Sequence, residues 1–188
     1  TTASHNIAVG NDALGTNTTG AKNIAIGHQA LNASTTSDNN VAIGYQALND
    51  NTTGAQNIAI GYQAMDANTT GLNNVAVGAN ALGSATTADT NTAFGHSAAA
   101  ALTTGYDNVA IGALALATAT TQYQNVAVGY AAFDAFTTAL QVTAIGHQAG
   151  SAITTGGYNT FVGADAGQNV TTTMYSVGIG AEAARSAG

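Results

Sequence analysis

A five-residue pattern, Asn-apolar-Ala-apolar-Gly, returns every 17 residues along this chain. It begins at Asn6, Asn23, Asn40, Asn57, Asn74, Asn91, Asn108 and Asn125, and continues in altered form from Val142, Asn159 and Ser176. The eleven copies keep this step without insertion or deletion. A strict repeat of this length is the signature of units that cannot bury their apolar residues alone and must stack on their neighbours. Counting the first Asn as position one, position five is glycine and position eight is alanine in all eleven copies. Positions thirteen and fourteen are Thr-Thr in every complete copy, from Thr18-Thr19 to Thr171-Thr172.

Asn-Ile-Ala-Ile-Gly alternates with period two, and its branched residues favour strand. No helical stripe is visible in the unit. The pattern predicts a strand over positions one to five, then a bend at His-Gln-Ala-Leu or Tyr-Gln-Ala-Leu. A second extended piece containing Thr-Thr follows, and a glycine or polar turn closes the unit. The fold expected is all-β: a parallel β-roll or β-solenoid of eleven 17-residue coils, one repeat domain over residues 1–188. Parallel stacking at about 4.7–4.9 Å per coil makes this a rod of roughly 50 Å.

Alternation also assigns faces. Positions one, three and five are small or polar (Asn, Ala, Gly), and suit a thin interior. Positions two and four then point outward, among them Ile24, Ile26, Val41, Ile43, Ile58, Ile60, Val109 and Ile111. An outward aliphatic stripe of that length exceeds what a soluble monomer normally exposes, so the expectation is a homotrimer with those residues at its interface. Within the coil, positions nine and twelve exchange size. Leu31 accompanies Ser34 and Leu48 accompanies Asn51, whereas Ala99 accompanies Leu102 and Gly150 accompanies Ile153. The two positions therefore fill one volume. Phe133 with Phe136, and Ala184 with Ala187, depart from the rule.

Composition excludes several functions. Lys22 and Arg185 are the only strong cations against nine acidic residues, a formal net charge of −7. Such a chain cannot neutralise a row of phosphates, so nucleic acid is not a partner. No apolar run is long enough for a membrane helix, and no insertion by this segment is expected. Without cysteine there is no disulfide, thiol catalysis or thiolate metal site. The carboxylates fall mainly at turn positions, and a uniform rod offers no cleft to hold two of them for hydrolysis. The chain is expected to be no enzyme and to carry no cofactor and no metal.

Asn57 to Met65 reads Asn-Ile-Ala-Ile-Gly-Tyr-Gln-Ala-Met, followed by Asn-Thr-Thr-Gly at Asn68 to Gly71. These residues resemble the repeats of trimeric autotransporter adhesin heads. They are closer still to the long Asn-x-Ala-Ile-Gly-Tyr-Gln-Ala-Leu repeats of phage tail-fibre-like and bacterial surface proteins. The resemblance runs along essentially the whole chain, although adhesin-head repeats are shorter. It implies a left-handed parallel β-roll, three chains about one axis, and a location outside a cell, on its surface or on a virion. Neither end carries an evident cap, and the chain reads as a segment of a longer fibre.

The function expected is the rod of an extracellular adhesin or tail fibre that contributes to attachment to a host or cell surface. Surface contact is assigned to position six, where Tyr45, Tyr62, Tyr130, His28, His96 and His147 lie. Their partner would be a host glycan or protein. The histidines sit on separated coils, so one chain cannot gather them around a metal. Two other readings stay open. An ice-binding protein would use the Thr-Thr column, although adjacent strand residues face opposite ways and leave one outward column. A subunit of a self-stacking extracellular filament would use the ends.

Overall fold

The computed structural model describes residues 3–135, 138 and 140–184 and is an all-β solenoid. Its strands are β1 (Ile7–Val9), β2 (Ile24–Ile26), β3 (Val41–Ile43), β4 (Ile58–Ile60), β5 (Val75–Val77), β6 (Thr92–Phe94), β7 (Val109–Ile111), β8 (Val126–Val128), β9 (Thr143–Ile145), β10 (Thr160–Val162) and β11 (Val177–Ile179). They form one parallel sheet in chain order. Each residue pairs with its equivalent 17 positions on, as Ile24 with Val41 and Ile26 with Ile43. Thr1, Thr2, Phe136, Thr137, Arg185 and Ala187, which the repeat reading also uses, lie outside the described residues.

Two details differ from the sequence expectation. The strand covers only positions two to four, because position five turns the chain: Gly27, Gly44 and Gly61 have φ of 137°, 136° and 137°. The Thr-Thr segment forms bends, not a second strand. The hydrogen bonding explains why. Thr52 N and Thr53 N both donate to the Thr69 carbonyl of the next coil, at 3.0 and 3.2 Å. The Thr52 hydroxyl donates to the same oxygen at 3.0 Å. Gly54 N donates to it as well, at 3.4 Å; a parallel ladder spreads its bonds evenly along the strand, and four donors gathered on one acceptor cannot propagate it.

Faces fall as the alternation requires. Ala25, Ala42, Ala59 and Ala76 at position three are fully buried, as are Asn23, Asn40, Asn57 and Asn74 at position one. The buried amides form a ladder along the rod. Asn57 N donates to Asn40 Oδ1 at 2.9 Å, and Asn57 Nδ2 donates to the Gly71 carbonyl at 2.7 Å. Burial of an amide is tolerable only because each donor and acceptor is used. Val142 interrupts this ladder: its N–H takes Asn125 Oδ1 at 3.0 Å, but its side chain passes nothing on.

The interior also shows volume exchange. Leu31, Leu48, Met65 and Leu82 at position nine are buried, and so are Leu102 and Ile153 at position twelve. A Cβ on Gly150 would lie 3.2 Å from Ile153 Cδ1, so the two positions do compete for one space. A second exchange accompanies the buried Phe161, which replaces the usual alanine at position three. Cβ atoms on Gly167 and Gly178 would approach its ring to 2.7 and 3.0 Å. Close packing leaves no slack for both.

The corners are built from left-handed backbone at positions seven, nine and seventeen. Gln46 (φ 52°), Leu48 (φ 54°) and Gln56 (φ 60°) show this in one coil, and Thr90 (φ 57°) is β-branched. Each such residue costs about 1–2 kcal/mol relative to right-handed backbone. Inter-coil bonds hold them there: Gln46 N donates to the His28 carbonyl at 2.9 Å, and Leu48 N donates to the Ala64 carbonyl at 3.0 Å.

Candidate functional surface

The outward face of the sheet carries two columns, one apolar throughout and one apolar except at Thr92, Thr143 and Thr160. Ile24, Val41, Ile43 and Val109 are half-buried between their coil neighbours, and Ile26, Ile58, Ile60 and Ile111 are exposed. Phe94 in β6 protrudes furthest among the central coils, at 56% exposure. No charged residue enters either column between β1 and β11. All eight residues assigned to an interface therefore share one face of the sheet.

The position-six rings lie beside this face at the first bend. His28 stacks on Tyr45 with centroids 5.3 Å apart, and Tyr45 stacks on Tyr62 at 5.2 Å with planes 8° apart. Tyr130 stacks on His147 at 5.4 Å. His96 stands alone, with Ala79 and Ala113 at position six of the coils on either side. Two further pairs lie at positions sixteen and seventeen: Tyr106 on Tyr123 at 4.8 Å and Tyr158 on Tyr175 at 5.1 Å. These rings do not each offer a flat face; within a ladder the faces cover one another, and only edges, hydroxyls and terminal faces meet solvent. The signal was present in the register, since residues 17 apart must lie one coil rise apart.

Amide side chains form a parallel surface ladder at position seven that sequence reasoning missed. Gln46 Nε2 donates to Gln29 Oε1 at 2.9 Å, and Gln63 Nε2 donates to Gln46 Oε1 at 3.0 Å. On the third side, position-fourteen threonines are exposed, while position-thirteen hydroxyls are committed to carbonyls of the next coil. One free threonine column results.

Ionisable groups do not converge. Among the described residues no three His, Asp or Glu side chains could hold a metal, and no pocket is enclosed. His147 Nδ1 lies 3.7 Å from Asp165 Oδ1, an exposed imidazole beside a half-buried carboxylate. No helix of the described residues is long and apolar enough to cross a membrane. Burial raises the carboxyl pKa of Asp66, and the nearby Asp50 charge adds to it; burial likewise raises that of Asp134.

The Asp66 shift makes a prediction. A carboxyl raised in the folded state disfavours folding once ionised, so its cost is absent below about pH 3 and full at neutral pH. Asp66→Asn is expected to raise the melting temperature at pH 7 and to match the parent at pH 3. Melting curves across that pH range check both; an equal or lower melting temperature at pH 7 would refute the assignment.

Comparison with known proteins gives no family model, no characterised relative and no solved structure that matches this chain.

Proposed function

We propose that this chain is the rod of an extracellular adhesin or tail fibre, trimeric, with its binding spread along the flank. The observation that carries the reading is the uncharged outer face of the sheet, two columns wide and eleven strands long and apolar except at Thr92, Thr143 and Thr160. Water contact along such a face is unfavourable at roughly 25 cal/mol per Å², and identical copies winding about a common axis cover it. The resemblance to trimeric adhesin and tail-fibre repeats supports the same arrangement. The perfect inter-coil register favours a stiff spacer, and the unenclosed surface favours contact over catalysis.

Oligomeric state is the direct test. Ile26 and Ile43 are half-buried or exposed in one chain, so Ile26→Asp with Ile43→Asp leaves a single chain folded. In a trimer the same carboxylates become buried and unpaired, at a cost of several kcal/mol. Sedimentation equilibrium is expected to show a trimer for the parent and a folded monomer for the double variant. A parent that stays monomeric at micromolar concentration sinks the trimer. Attachment is tested separately, by binding to host cells with the exposed Tyr106, Tyr158 and Tyr175 changed to Ser. Loss of binding by intact trimers supports an adhesive flank; unchanged binding assigns attachment elsewhere.

The single free threonine column bears on ice binding. It presents one row where a flat ice face wants several, and measurable thermal hysteresis would favour that function over attachment.

A further inference from the structure

Two surface ladders end on the same coil. The ring stack His28–Tyr45–Tyr62 stops because position six of the next coil is Ala79. Tyr62 is accordingly more exposed than Tyr45, 56% against 44%. The amide ladder stops beside it: Gln63 Nε2 donates downward to Gln46, and no donor among the described residues reaches Gln63 Oε1. One coil beyond Ala79, His96 presents an unstacked ring. By register Tyr62 stands one coil below Ala79 and His96 one coil above it, so a notch lies over Ala79 with Gln63 Oε1 and the exposed Asn80 beside it.

We infer that this notch binds one pyranose ring of all-equatorial configuration, clamped between Tyr62 and His96. The inference rests on the adhesive-flank reading and names its ligand. Two coil steps separate the coils that bear these rings by about 9.4–9.8 Å. A planar aromatic ring at van der Waals contact on both faces needs only about 7–8 Å. A puckered saturated ring is thicker and fills the difference. A β-gluco ring presents axial C–H groups on both faces, as two aromatic walls require, and its equatorial hydroxyls project sideways. One of them donates to Gln63 Oε1, whose hydrogen-bonding capacity the ladder leaves unused. An axial hydroxyl would press a polar group against one wall without a partner. The notch is open on its outer side and encloses no cavity, so single-site affinity is weak, roughly millimolar. The neighbouring notch between His96 and Tyr130, floored by Ala113, serves as the control. There Ser97 takes the place of Gln63 on the coil below, and position seven of the floor coil is Leu114.

Saturation-transfer NMR on the intact chain tests this with methyl β-D-glucopyranoside and methyl β-D-galactopyranoside. The glucoside is expected to receive saturation on C1, C3 and C5 hydrogens of one face and on C2 and C4 hydrogens of the other, and the galactoside about tenfold less. Ala79→Tyr extends the ring stack with a residue that position six already accepts in other coils, so the fold persists while the notch is filled. Its glucoside signal is expected to vanish, and that of Ala113→Tyr to persist. A signal that survives Ala79→Tyr, an equal response to both sugars, or no signal from the parent overturns the notch. None of these bears on the flank as a whole, which the cell-binding comparison of tyrosine variants decides independently.

Discussion

Gly61→Ala is expected to break the rod at its fourth coil. Gly61 has φ of 137°, where an L side chain is strained, and a Cβ there would sit 2.6 Å from the carbonyl oxygen of Gly78 and 2.7 Å from its carbon. Those are backbone atoms, and moving them means separating two coils whose Gly78 N–H donates to the Ile60 carbonyl at 2.8 Å. Strain and lost contacts together exceed about 4 kcal/mol, the range that marks a backbone position without alternatives. In a stack held by nearest-neighbour contacts, one failed interface separates the two flanking blocks. The denaturant midpoint is expected to fall, and the single transition to divide into two with smaller slopes. A variant that melts with the parent's midpoint and slope would show that the coils can spread.

The buried amide ladder is the second place where one atom-scale change is expected to act globally. Asn74 N and Nδ2 share Asn57 Oδ1 at 2.9 and 3.2 Å. Asn74 Nδ2 also donates to the Ala88 carbonyl at 2.6 Å. Its Oδ1 accepts from Asn91 N at 2.9 Å and Asn91 Nδ2 at 3.1 Å. Asn74→Leu keeps the volume and strands the Ala88 carbonyl and the Asn91 N–H in the interior. At about 1–3 kcal/mol for each unsatisfied group, the loss is roughly 3–5 kcal/mol. Asn74→Asp separates hydrogen bonding from shape. Its carboxylate would face Asn57 Oδ1 and the Ala88 carbonyl without a proton to offer. Burial and those oxygens raise its folded pKa, so the penalty is smallest below about pH 4 and grows as pH rises through that value. The Leu variant's loss is expected to stay constant with pH and the Asp variant's to increase. Equal pH profiles for the two would refute the ladder's role.

Sequence register carried much of this architecture. The alternation of Ile24-Ala25-Ile26 fixed which side is interior, because a thin coil favours small residues where its walls meet and admits the larger Phe161 only where glycines give way to it. The exchange between Gly150 and Ile153 was equally legible, since a closed volume forces neighbours to trade size. The outward columns and the position-six rings were placed by the same register. What the rings do was not read, although their spacing contained it: Tyr45 and Tyr62, one coil apart, must stack, and Ala79 must leave a face open.

The bends belong to the tertiary structure. Gln46, Leu48 and Gln56 carry no local preference for positive φ; the hints lie in other copies, in Gly150 and Gly167 at position nine and in Asp12, Asn39, Asn73 and Asn80 at positions seven and seventeen. Their conformation is imposed by hydrogen bonds to the coils above and below, which exist only once the stack has formed. The Thr-Thr pair misled for the same reason. Its branched side chains favour strand in isolation, yet in the stack both N–H groups converge on one carbonyl and the ladder cannot continue. A repeating sequence thus determines stacking, faces and packing through volume and polarity, which each residue carries with it. Corner geometry depends on where the next coil places its carbonyls, and that is decided by the assembled solenoid.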